Sequence, residues 1–274
     1  MSEFLIQYTL HLADNPLILG HRNSEWCGHG PVLEQDIAIT NISLDLIGQA
    51  RNFYQYAAQL INESKNTESS KAPSLLSLTK NGAGVGGEVS EDTLAYLRTE
   101  REFKNCLLVE QPNGDWAQTI LRQFLFSAYQ FYLYQELQKT RDKQLAAIAE
   151  KSLKEVTYHL RWSSEWVIRL GDGTEESHTR ILKAIEELWS YTGELFDAVN
   201  YEQQAAVDGI GIDLSLLKDN WVNKIKKIFD EGMLTLPANT FQHTGGKTGV
   251  HSEHLGFILA ELQYMQRTYP GCEW

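Results

Sequence analysis

Over residues 32–64, "VLEQDIAITNISLDLIGQARNFYQYAAQLINES", apolar side chains return every third or fourth position. Ala38, Ile42, Leu46, Ala50, Phe53, Ala57 and Leu60 make one stripe, the signature of a helix with a buried face. The same spacing predicts helices over roughly 2–19, closing at or soon after Asn15-Pro16, and over 90–108, 115–138, 142–170, 175–199, 215–231 and 251–268. Strand-like alternation is almost nowhere to be found. Ser90 is placed to cap its helix, with Glu91 and Asp92 in the first turn where the dipole favours acids. Turns rich in Gly and Pro punctuate the pattern at "WCGHGP", "QPNG", "GDGT" and "HTGGKTG". The joint between 138 and 142 is so short that its two helices must run antiparallel as a hairpin. Residues 63–90 break the spacing with Ser, Asn, Lys and Gly, a composition that predicts a flexible surface loop with one sticky patch, "LLSL". Helical spacing of the same kind resumes beyond it, so residues 1–274 read as a single all-α domain, a bundle with additional helices.

Composition narrows the functions open to such a bundle. A net charge of −12 lacks the basic stripe that nucleic acid requires, and it disfavours anionic membrane surfaces. The longest apolar runs fall well short of the ~20 residues of a membrane span. The opening "MSEFLIQYTLHLADN" begins with an acid instead of a basic segment and offers no cleavage site, so no signal peptide is expected. Cys27, Cys106 and Cys272 are odd in number and far apart, which suits reduced thiols in the cytoplasm.

Bundle interiors hold metals when facing helices supply acids and imidazoles. The di-iron pattern uses a lone Glu on each of two helices and Glu-x-x-His on each of two others. Here Asp45 is followed by Gly48 at i+3 and Gln49 at i+4, and Glu155 by Tyr158 at i+3 and His159 at i+4. Both acids border their helix's apolar stripe and could approach each other. Asp14 is the one plausible inward acid of the first helix, and from Trp116 to Gln135 there is no acid at all. Such a set cannot hold two irons well. A mononuclear site on Glu155 and His159 is one reading. The other, favoured by the missing donors, pairs His159 with Glu155 or a neighbouring acid as a buried polar contact. Glu175-Glu176-Ser177-His178 has the literal spacing but sits in a solvated first turn, and "HSEH" at 251–254 reads as capping and contact residues. Glu25 and His29 lie among glycines unsuited to a helix, and Cys27 beside His29 lacks a third catalytic group. "GAGVGG" at 82–87 has no strand before it and reads as linker.

Several long stretches together resemble one family. "SEWCGHGPVLEQDIAITNISLDLIGQARNF", "LLVEQPNGDWAQTI", "KEVTYHLRW", "ELFD" and "TGGKTGVHSEHLGFILAELQYMQRTYPG" are similar to the C subunits of bacterial phenylacetyl-CoA epoxidases, ring 1,2-epoxidases of the multicomponent monooxygenase group. The resemblance covers about 1–62 and 91–274. It implies a ferritin-like fold whose metal site is degenerate, at Asp14, Asp45 with Gly48, and Glu155 with Tyr158 and His159. No catalytic residue, metal or cofactor is then expected in this chain. The family's A subunit holds the di-iron centre and binds the thioester, C packs on A as a structural partner, and a reductase feeds electrons. The aromatic helix "QFLFSAYQFYLY" and the early helices are expected to supply the pairing surface. A ligand-binding bundle and a self-sufficient iron oxygenase are the alternatives.

Overall fold

The computed structural model describes residues 3–67, 88–238, 241–270 and 272, and every regular element in them is helical. Most of the expected 63–90 loop lies outside the described residues. Its first residues do not break the helix, which runs on to Thr67.

Two long hairpins form the centre. The first joins α1 (Glu3–Ser24) to α2 (Leu33–Thr67), and the second joins α5 (Trp116–Leu137) to α6 (Lys143–Gly171) across the short connection read from the sequence. Asp142 caps α6 by accepting the Gln144 and Leu145 N–H groups at 3.0 and 2.9 Å, an arrangement worth about 1 kcal/mol. Asp115 and Thr174 cap α5 and α7 (Glu175–Leu188) in the same way. The hairpins meet along α2 and α6, which run antiparallel. From end to end Gln35 accepts from Trp162 and Trp166, Asp45 meets His159, Gln49 meets Glu155, and Tyr56 donates to Asp142. The stripe from Ala38 to Leu60 is buried throughout.

α1 and α5 are buried on nearly all sides. This corrects two expectations. Pro16 does not end α1, which continues to Ser24. Interior proline costs a helix about 3 kcal/mol, but here every residue from Tyr8 to Gly20 is buried, and packing overrides the local preference. "QFLFSAYQFYLY" is interior and not a free pairing surface: Phe124, Leu125, Phe126, Tyr129, Leu133 and Tyr134 are all core, leaving only Phe131 and Tyr132 partly exposed.

The expected helix over 90–108 also divides. Ser90 caps as read, but only α3 (Glu91–Tyr96), a 3-10 turn at Glu100–Glu102 and α4 (Leu107–Glu110) are helical. Between them the chain lies extended on α1, its N–H groups taken by side chains from elsewhere. Lys104 donates to Asp14 at 2.7 Å, Cys106 to Asn15 at 2.8 Å and Leu107 to Glu194 at 2.7 Å. α7 likewise stops at Leu188 and gives way to two 3-10 turns, and α8 (Asn200–Val207) follows unforeseen. α9 occupies the expected Ser215–Glu231, while the last helix divides into α10 (Glu253–Leu262) and α11 (Tyr264–Thr268).

Candidate functional site

The acids singled out in the sequence fall into two separate places. Asp45 and Glu155 face each other's helices on the α2–α6 seam, in crossed pairs. His159 Nε2 lies 3.0 Å from the Asp45 carboxylate, and Gln49 donates to Glu155 at 2.9 Å. The residues that complete the cluster are therefore those at i+4, Gln49 and His159. Gly48 has open space where a side chain would go, and the Tyr158 ring is solvent-exposed beside the Arg161 guanidinium. From α5, Gln130 donates to Tyr134 at 3.2 Å and to Gln49 at 3.4 Å. Burial, followed by the charge of Asp45, raises the Glu155 carboxyl above its ordinary pKa despite the Gln49 amide. His159 is fully buried and its Nδ1 has no hydrogen-bond partner.

Asp14 belongs to the second place. It is sealed between Arg98, which contacts both its oxygens, the Tyr54 hydroxyl at 2.5 Å and the Lys104 N–H. Burial and the charge of Asp14 together push the Tyr54 hydroxyl well above its usual range. Further buried pairs continue along α1. Lys247 Nζ lies 3.1 Å from both Glu202 oxygens, and His11 Nε2 lies 3.4 Å from one of them. His251 contacts Glu110 at 3.0 Å and the Phe103 carbonyl at 3.0 Å. Burial would lower the His251 pKa, but the hydrogen bond and charge of Glu110 outweigh it and raise it. His11 goes the other way, its pKa lowered mainly by burial. Glu194 accepts the N–H groups of Leu107 and Gly245, stitching two loops together.

Sequence reading missed these α1 clamps, because their cations and acids lie 45 to 141 residues apart in the chain. The nearest signal was "TGGKTGVHSEH", whose Lys247 and His251 are the anchors. His178 caps the end of α6 through the Gly171 carbonyl at 2.6 Å, and Glu25 pairs with Arg22 at 3.1 Å.

This donor set does not fit a pair of irons. Four carboxylates and two imidazoles are needed; here two acids and one imidazole share the seam, α5 brings the Gln130 amide to it and not an acid, and the Arg98 guanidinium already neutralises Asp14. Among the described residues no three His, Cys, Asp or Glu side chains converge as a metal would require. No helix among them is long and apolar enough to cross a membrane.

The chain is thus an all-helical bundle with a hydrogen-bonded polar seam between its two central hairpins. Over residues 1–274 it matches the family described as phenylacetic acid catabolic protein, and it belongs to that family. It is 46% identical over 270 residues to the C subunit of the 1,2-phenylacetyl-CoA epoxidase of Escherichia coli (strain K12), covering 98% of this chain and 99% of that one.

Proposed function

We propose that this chain is the non-catalytic structural subunit of a phenylacetyl-CoA 1,2-epoxidase in aerobic phenylacetate degradation in the cytoplasm. In this reading it is a ferritin-like bundle that has given up its metal site. It pairs with and braces the di-iron A subunit, which holds the iron and binds the thioester, while a reductase subunit supplies electrons. The observation that carries the reading is end-to-end similarity, at 46% identity, to a protein that is a named subunit of an epoxidase. Its non-catalytic part is supported by the crossed Asp45–His159 and Gln49–Glu155 pairs, which use the would-be ligands on each other.

The test is co-expression with the A subunit, followed by separation and metal analysis of each chain. Iron is expected to follow the A subunit and to be substoichiometric in this chain, which alone should not oxidise the thioester. About two irons per copy of this chain, with oxygen-dependent turnover by it unaided, would overturn the proposal.

A further inference from the structure

The first half of α2 is apolar on two opposite faces. Ile39, Ile42 and Leu46 point into the core. On the far side Leu33, Ile37, Leu44 and Ile47 stand 71, 51, 62 and 40% exposed. With the partly buried Thr40, these residues recur at intervals of four, three, four and three, the seam that accepts a second helix at a shallow crossing angle. A helix that is apolar all round is normally covered all round. Four large aliphatic side chains in one line are a contiguous patch, unlike scattered surface leucines.

Charge decides what covers it. Between Leu33 and Ile47 the helix carries Glu34, Asp36 and Asp45 and no Lys or Arg, and the next basic residue, Arg51, is paired with Glu91 at 3.4 Å. A second copy laid on this face would bring two net-acidic helix segments together, in a chain already at −12. A partner helix with Lys or Arg beside its own apolar line would be matched in both respects.

We infer that the outer face of α2, Leu33–Ile47, is the docking seam for a helix of the A subunit that presents apolar residues at three- and four-residue spacing flanked by basic ones. This rests on the proposed function for the partner's identity, while the seam itself rests on α2. His159 and Glu155 contact the adjoining flank of the same helix through Asp45 and Gln49, so the polar seam would lie close under the interface.

The experiment uses the full-length chain and the A subunit, comparing wild type with a variant carrying Leu33→Ser, Ile37→Ser, Leu44→Ser and Ile47→Ser, and with Glu34→Lys. Affinity is read by sedimentation or calorimetry, and thermal unfolding of each chain alone checks the fold. The quadruple variant is expected to melt near wild type and to bind at least ~100-fold more weakly, the size of effect typical of central interface anchors. Glu34→Lys should weaken binding several-fold and reduce its salt sensitivity. Unchanged affinity of the quadruple variant would overturn the seam and leave the functional reading standing. Failure of the wild type to pair would overturn both. A self-dimer of the wild type that the four serines dissolve would assign the face to a second copy and overturn the proposal.

Discussion

Around α1, Asp14, Glu202 and Glu110 are sealed from solvent and each is met by a buried cation or imidazole. On the α2–α6 seam, Asp45 reaches water and, with Glu155, is met only by an imidazole and an amide. Both sets sit in one helical bundle, yet they hold different things. The α1 acids hold chain: Asp14 fastens the extended stretch 103–106, and Glu202 and Glu110 fasten 241–252, segments whose backbone is not satisfied by an α-helix. The seam acids hold one helix to another. The cost of losing a partner should follow that division, being steep where the remaining charge is stranded in the core and slight where water can replace the contact.

The largest effect is therefore expected at Arg98. Arg98→Met strands Asp14 beside Tyr54 with no countercharge, and removal of one partner of a buried pair typically costs about 3–5 kcal/mol. Lys247→Met should fall in the same range by stranding Glu202. Urea denaturation checks both. Pairing Arg98→Met with Asp14→Asn should recover part of the loss, since the double change leaves no charge behind. If the double variant is no more stable than Arg98→Met, Asp14 is not the group being stranded.

The next effect is pH-dependent. In the folded chain the His251 pKa is raised by Glu110, so the native state holds that proton more tightly than the unfolded one. The resulting stabilisation is full below the unfolded value of about 6.5 and is lost as pH rises through the folded value. His11 has the opposite sign, with a lowered folded pKa, so total stability blends the two. The measurement is the difference in unfolding free energy between wild type and His251→Gln across pH 5–9. It should be about 1–3 kcal/mol at the acid end and shrink toward the alkaline end. A difference that is flat with pH would show that His251 does not titrate against Glu110.

The same division explains what could be read from the chain beforehand. The α5–α6 hairpin, the cap at Ser90 and the span of α9 follow from local spacing and local hydrogen bonds, which a short window contains. The seam acids were legible too, since Asp45 and Glu155 lie on the borders of periodic stripes. The direction of Gly48 and Tyr158 was not, because which of i+3 and i+4 faces a neighbour depends on how α2 and α6 cross. The irregular path after Tyr96 was illegible for a further reason. Asp14, Asn15 and Glu194 capture the N–H groups of Lys104, Cys106 and Leu107 from about 90 residues away, and no local propensity encodes that. Pro16 misled for the converse reason, with a strong local signal overruled by burial.

The smallest effects, and the sharpest check on the comparison, are expected at the seam. Asp45 is more than a third exposed, so solvent screens its pair with His159, and Asp45→Asn should cost under about 1 kcal/mol. Glu155→Gln goes further. Burial and the nearby Asp45 already favour the neutral form of Glu155, and a glutamine can still meet Gln49 amide to amide. The change should be neutral, or stabilising by a few tenths of a kcal/mol at neutral pH, within the usual range for surface substitutions. A second reading comes from the pH profile. Because the folded pKa of Glu155 is raised, its ionisation weakens the native state as pH rises past the unfolded value, a slope that Glu155→Gln should remove. Denaturation of both variants at pH 5 and pH 7.5 measures all of this. A loss at either position as large as that of Arg98→Met would mean that the seam is sealed and charge-critical like the α1 clamps, and the two regions would no longer differ in kind.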